Sequence, residues 1–318
     1  MKSVEKSIED VECEVFVVDN NSVDGSSNMV RSVFPWVNII ENSNNLGFAK
    51  ANNQAIKMSK GQYILLLNPD TVVEKNTFKL ITEYMDSQHD VGGLGFKMIN
   101  GNGVFLAESK RGFPTPSAAF YKMSGLSKLF PKSKRFNHYH LGYLDKDSIH
   151  EVEVLSGAFM LLRRKVLDMI GLLDETYFMY GEDIDLSYRI IKAGYKNVYY
   201  SDTTIIHYKG QSTQKGSLNY VLLFYTAMKI FAKKYFSSSH ARTFLLFLNA
   251  AIYFRASLSM LYRILLKFLY PVFDIIIVYL GYTVFAPLWG QYKYKISSYN
   301  FPENYYNINV PLYVLVII

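Results

Sequence analysis

Apolar residues along this chain fall into short runs divided by polar turns, and the period of each run predicts its element. Val4, Ile8 and Val11 recur at helical spacing over Lys2–Val11, and Glu14-Val-Phe-Val-Val-Asp19 follows as a buried strand. Asp19-Asn-Asn-Ser-Val-Asp-Gly-Ser26 reads as a polar turn ending in a helix cap for Ser27–Phe34. A second strand, Val37–Ile40, leads through Asn42-Ser-Asn-Asn-Leu-Gly-Phe48 to a helix over Ala49–Met58. Ile64–Leu67 is short, continuous and apolar, as a covered central strand requires, and Pro69 stops its ladder. A helix around Phe78–Met85 completes an alternation that predicts an α/β fold with a mostly parallel sheet covered by helices.

The pattern then weakens from Asn100 to Ile149, a long excursion suited to a lid or binding loop. It resumes at Val152–Leu162, where Ser156-Gly157-Ala158 interrupts an apolar strand and marks either a close approach to the backbone or tight packing. Phe178-Met-Tyr-Gly-Glu182-Asp183-Ile-Asp185-Leu-Ser-Tyr-Arg189 gathers three carboxylates at a helix start, where the dipole favours their ionised forms. Glu182 and Asp183 are placed just before the helix proper, and Asp185 with Arg189 is read as a structural surface pair. Lys196–Tyr200 and Thr203–Ile206 read as two strands, the second ending at His207.

Strand ends of such a sheet collect polar groups at one rim, where open α/β sheets bind ligands. Asp19, Asn44 and Asp70 belong there, with His207 as a further arrival; each also has a plain reading as turn, cap or core residue.

Composition narrows the class. The chain has 318 residues, half of them apolar, with a net charge of +7. Residues 217–318 hold nine Lys/Arg against two Asp/Glu, while the first 216 are balanced at 25 each. A neutral body argues against a nucleic-acid partner, and a basic, aromatic, apolar tail fits an anionic membrane surface. The lone Cys13 precludes an internal disulfide framework.

Six motifs appear in a fixed order over residues 14–215: the Asp19–Ser26 turn, Asn44-Asn-Leu-Gly-Phe-Ala-Lys-Ala-Asn-Asn53, Asn68-Pro-Asp70, Ser156-Gly-Ala158, Glu182-Asp-Ile-Asp-Leu186 and His207. In this the chain resembles family 2 glycosyltransferases, in particular their rhamnosyltransferase-like branch. The resemblance implies a GT-A (Rossmann-like) fold, a nucleotide-diphosphate sugar donor and inversion at the anomeric carbon. It implies Asp19, Asn44 and Asn68 as donor-binding residues and Asp70 as a ligand to Mg2+ or Mn2+, since Asn68-Pro-Asp70 stands where that fold carries Asp-X-Asp. His207 is implied as a second ligand to metal or phosphate, Asp183 as the general base, and Glu182 with Gly157 as the acceptor pocket. The residue types suit the chemistry: a divalent ion stabilises a departing diphosphate, and a fixed carboxylate takes the proton of an attacking hydroxyl.

The expected organisation is a transferase domain over 1–216 and a helical, membrane-associated region over 217–318. Leu218–Phe236 is expected to lie on a membrane, and Thr243–Tyr262 and Phe268–Trp289 are candidate spans. Lys229–Arg242 places the catalytic domain on the cytoplasmic face of the cell membrane, where it would extend a glycan or lipid-linked acceptor. Because the family opens on a strand that precedes the first helix here, and because Pro311–Ile318 is apolar without a polar stop, the chain is expected to be incomplete at both ends. Two rivals are a nucleotidyltransferase or NDP-sugar-modifying enzyme, and a degenerate, non-catalytic membrane scaffold or glycan-binding module.

Overall fold

In the computed structural model, which describes residues 1–208, 218–236 and 238–295, the first elements follow their apolar rhythm. They are Lys2–Ser7 (α1), Phe16–Asp19 (β1), Ser26–Val33 (α2), Asn38–Glu41 (β2), Phe48–Met58 (α3), Tyr63–Leu67 (β3), Thr71–Val72 (β4) and Thr77–Ser87 (α4). Val91–Ile99 (β5) follows, a strand hidden in the sequence by Gly92, Gly93 and Gly95. The excursion folds into Pro116–Met123 (α5), Leu126–Leu129 (α6) and 3-10 turns, and His150–Glu151 (β6) closes it. Phe159–Arg163 (β7), Arg164–Ile170 (α7), Glu182–Lys192 (α8) and Lys196–His207 (β8) complete the α/β body. The two strands expected after α8 are thus one strand of 12 residues, whose pairing with β5 shifts register after Phe96.

Among the described residues, β1 and β2 form a parallel pair, and a six-stranded sheet runs β3-β7-β5-β8-β4 with β6 on β8. The expected mostly parallel sheet is corrected to a mixed one. β5 and β8 are parallel, and β3 shares their direction, but β7 lies antiparallel between β3 and β5, and β4 and β6 run against β8. The reason is topological: β7 reaches its slot from the long excursion and not through a covering helix, so the crossover rule does not fix its direction.

Alternation along β3 and β7 builds both faces of the core. Phe159 and Leu161 join Val4, Phe78, Ile81 and Met85 on one side. Ile64, Leu66, Met160 and Leu162 join Ala49, Ile56, Leu186 and Ile190 on the other. A Cβ at Gly92 would lie 2.7 Å from Ile190 Cγ2, and one at Gly93 2.6 Å from Leu155 Cδ1, so missing side chains on β5 are what let α8 settle on the sheet.

Leu218–Tyr235 (α9) differs from its expectation of lying on a membrane. Its Ala227, Met228, Phe231 and Ala232 are buried against Val154, Tyr177 and Ile184 of the α/β body. Burial of a side chain such as Phe231 stabilises by roughly 2 kcal/mol. Polar anchors flank this contact: Lys234 Nζ and the Tyr235 hydroxyl donate to Asp185 Oδ1 at 2.7 and 2.6 Å.

The chain divides into two compact units, residues 1–248 and 249–318. Thr243–Tyr262 and the start of the second candidate span lie on one continuous helix, Ser238–Leu280 (α10), followed by a π turn and Ala286–Tyr294 (α11). Met260–Tyr294 is the one described helical run long and apolar enough to cross a membrane, by length and composition. The expectation for Pro311–Ile318 lies outside the described residues.

Candidate active site

Strand β3 ends at Leu67, which pairs with Phe159, and Asn68 N–H donates to the Ala158 carbonyl at 2.9 Å. Pro69 then turns the chain, and the turn is closed by the Thr71 hydroxyl on the Asn68 carbonyl at 2.7 Å. Thr71 pairs with His207 at the end of β8, which brings Asp70 beside that imidazole. His207 Nε2 and Asp70 Oδ1 are 3.1 Å apart, with side chains 10% and 12% exposed. Two residues distant by 137 positions thus form one pair at the carboxyl rim of the sheet.

The pair fits a divalent ion. Neighbouring ligand atoms about 2.1 Å from an octahedral ion stand about 3 Å apart, close to the separation seen. His207 Nδ1 is buried without a hydrogen-bond partner among the described residues. Among those residues no third His, Cys, Asp or Glu joins the pair as a potential ligand.

Across the rim, α8 begins one or two residues earlier than expected, so Glu182 and Asp183 lie in its first turn and not before it. Tyr180 (φ +67°) and Gly181 (φ +87°) hold consecutive left-handed conformations that deliver this turn. For tyrosine that conformation costs on the order of 1 kcal/mol. A Cβ at Gly181 would lie 2.9 Å from the Tyr177 ring and 3.0 Å from Ala227, so glycine is required twice over. The segment facing the turn is tied to α8 by Leu155 N–H on Ser187 Oγ at 3.1 Å.

Gly157 sits between the two halves. Its N–H points to Asp183 Oδ2 at 3.4 Å, and a Cβ there would lie 3.5 Å from Asp183 Cβ, 3.7 Å from the Phe48 ring and 3.9 Å from Glu182 Oε1. Those are ordinary contacts, so a single methyl would be accommodated and tight packing does not demand glycine.

Arg111 is the residue that sequence reasoning missed. An isolated bridge between Arg111 and Val154 folds the excursion back, and the guanidinium reaches Asp183 Oδ2 at 2.5 Å and the Leu155 carbonyl at 2.7 Å. Burial works against its charge, but Asp183 and Tyr139 beside it hold its pKa above the usual value. Nothing in Lys110-Arg111-Gly112 signals this, because the contact exists only once residues 72 positions apart meet. Burial, and then the neighbouring Asp183 charge, push Glu182 well above the normal carboxyl range, towards its protonated form. Glu182 Oε2 is buried with no hydrogen-bond partner among the described residues. The rim thus offers an arginine-paired carboxylate beside a buried carboxyl whose neutral form is favoured, environments that separate the roles of two acids.

Asp19 and Asn44 flank this centre. Both Asp19 oxygens face Ser22 N–H, at 3.1 and 3.3 Å, closing their own turn, while Asn44 is exposed. Their loops join the rim through Asn20 Nδ2 on the Gly47 carbonyl at 3.3 Å and Phe48 N–H on the Phe178 carbonyl at 2.8 Å. Asp185, read as half of a surface pair, does accept from Arg189 Nε at 2.8 Å but is fully buried.

Sheet and rim together define a transferase scaffold of the GT-A type. Residues 4–220 match the family described as Glycosyltransferase like family 2, and the chain belongs to that family; it is a glycosyltransferase enzyme. It is 26% identical over 229 residues to the N-acetylglucosaminyl-diphospho-decaprenol L-rhamnosyltransferase of Mycobacterium tuberculosis, covering 68% of this chain and 73% of that one. It is 29% identical over 178 residues to rhamnosyltransferase WbbL of Escherichia coli, covering 51% and 61%. The mannosyltransferase PcManGT of Pyrobaculum calidifontis, solved with GDP-Man and Mn2+, superposes with a TM-score of 0.50 at 15% identity, covering 80% of this chain and 70% of that one; this likeness concerns the fold.

Proposed function

We propose that the protein transfers a sugar, with rhamnose favoured by its relatives, from a nucleotide-diphosphate donor to a hydroxyl of a lipid-linked glycan, inverting the anomeric centre. The observation that carries this is the division of one rim into two chemical halves, Asp70 with His207 and Asp183 with Glu182, joined through Asn68, Ala158 and Gly157. Asp70 and His207 would hold Mg2+ or Mn2+, and that ion, when bound, offsets the negative charge of the departing diphosphate. Imidazole among the ligands tilts the choice towards Mn2+, the ion found with the Pyrobaculum enzyme. Asn68 and the Asp19 and Asn44 loops bind the nucleotide-sugar.

Asp183 receives the proton of the attacking hydroxyl. Its Arg111 partner orients the carboxylate and must loosen as the proton arrives, since a protonated acid no longer holds a guanidinium. Neutral Glu182 donates a hydrogen bond to the acceptor sugar, which gives its Oε2 a partner. Gly157 leaves room for that sugar beside both acids. The Met260–Tyr294 helix, spanning about 50 Å at 1.5 Å per residue, is long enough for a bilayer and keeps the enzyme where a lipid-linked acceptor lies, with the catalytic unit in the cytoplasm. Such a reaction belongs to surface-polysaccharide synthesis.

Membranes carrying the full chain, supplied with labelled nucleotide-diphosphate sugars and a polyprenyl-diphosphate-sugar acceptor, test this. The expected products are a new glycosidic bond of inverted configuration and free nucleoside diphosphate. Released pyrophosphate, or retained configuration, overturns the reading.

A further inference from the structure

We propose that residues 116–136 form a surface that docks on an anionic phospholipid bilayer, with Phe120, Leu129 and Phe130 entering the headgroup region and Lys128, Lys132 and Lys134 meeting lipid phosphates. Although residues 1–216 are neutral in sum, their charge is segregated: residues 109–144 carry seven Lys/Arg and no Asp/Glu. Phe120, Leu129 and Phe130 are 46%, 73% and 46% exposed, and the three lysines are exposed beside them. The aromatic groups are linked through one another, and Leu129 adjoins Phe130 in the chain. Phe120 contacts Tyr121, Tyr121 meets Phe136 at 5.1 Å between ring centres, and Phe136 meets Phe130 at 5.3 Å. Pro116 starts α5 and the Thr115 hydroxyl caps it, accepting from Ala118 N–H at 3.2 Å, so the patch rides on a defined turn.

Composition selects the partner. A phosphate-rich duplex or an acidic protein would match the lysines, but neither gives three neighbouring apolar side chains a place out of water. The headgroup zone of an anionic bilayer supplies both environments a few ångströms apart, and long lysine stems bridge them. The patch leads directly to the rim: the same excursion carries Arg111 at one end and Tyr139, which faces Arg111, at the other. Docking would therefore bring bilayer-borne substrate to the edge where Asp183 lies. That last consequence rests on the transferase reading, whereas docking itself does not.

The test uses the full chain in nanodiscs, with Cys13→Ser removing the exposed native thiol and Leu129→Cys carrying an environment-sensitive fluorophore. A control probe replaces Met169, which is 58% exposed on α7. With phosphatidylglycerol discs, the probe at 129 should shift to the blue and be quenched by lipid-borne nitroxide, whereas the probe at 169 should not. Each lysine contributes about fivefold to partition at such a surface. Lys128→Gln, Lys132→Gln and Lys134→Gln together should shift the docked population on the order of a hundredfold towards water, with unchanged circular dichroism. A probe at 129 that stays in water in anionic discs, or one that responds equally to position 169, overturns the proposal. So does a response to poly-glutamate or RNA that exceeds the response to lipid. Loss of sugar transfer with docking intact would strike the transferase reading alone.

Discussion

Glutamine at position 182 would keep the shape of the protonated Glu182 carboxyl and remove the proton it can lose. Burial and the adjacent Asp183 charge raise the folded-state pKa from 4.5 to about 8. The folded protein therefore holds an extra proton between those values, and stability falls as pH rises through the window, at up to about 1.4 kcal/mol per pH unit. Below the unfolded pKa both proteins are neutral at this site and equally stable. Above pH 8 the wild type bears a buried charge that glutamine avoids, a difference of several kcal/mol. At roughly 2–4 °C per kcal/mol for a unit of this size, Glu182→Gln should match wild type near pH 4 and melt on the order of 10 °C higher at pH 8.5. Thermal unfolding of the detergent-solubilised full chain from pH 4 to 9 reads this directly. Parallel curves for the two proteins would refute the assigned protonation state and, with it, the role of Glu182 as a donor to the acceptor.

Other consequences follow from the same geometry. Asp183→Asn should lower turnover by about 10²–10⁴-fold and destabilise by a few kcal/mol, because Arg111 loses its buried counter-ion; rate and melting measurements on one preparation check both. Gly157→Ala should fold normally, since its methyl meets only ordinary contacts, and raise the acceptor KM several-fold while leaving donor affinity unchanged, because that methyl stands beside Asp183 and Glu182. Gly92→Val, far from the rim, should instead cost about 3 kcal/mol or more by striking Ile190, and denaturant unfolding would register it without any shift in KM.

Much of this organisation is legible in residue order, for reasons that differ by element. The period of Ile64–Leu67 and the stop at Pro69 locate a strand end, and the carboxylates of Glu182 and Asp183 announce a helix start. Val91–Ile99 escapes because three glycines dilute its apolar signal, although those same glycines make room for Ile190 and Leu155. The direction of β7 escapes because pairing depends on where the excursion returns, which no local pattern records. Arg111 escapes for the same reason. Leu218–Tyr235 misleads: its apolar stripe with lysines suits a membrane surface, but Asp185 and the apolar surface around Tyr177 take it first. A neutral sum over residues 1–216 conceals a cationic stretch of 36 residues at positions 109–144.

The central claim is that one rim has a donor half and an acceptor half. Calorimetric titration of the full chain with UDP, GDP and dTDP, with and without Mn2+, separates them. Metal-dependent binding of one diphosphate is expected, lost or weakened at least tenfold in Asp70→Asn and His207→Ala but retained in Asp183→Asn. Equal loss in all three variants, or binding indifferent to Mn2+ and to Asp70, would contradict it.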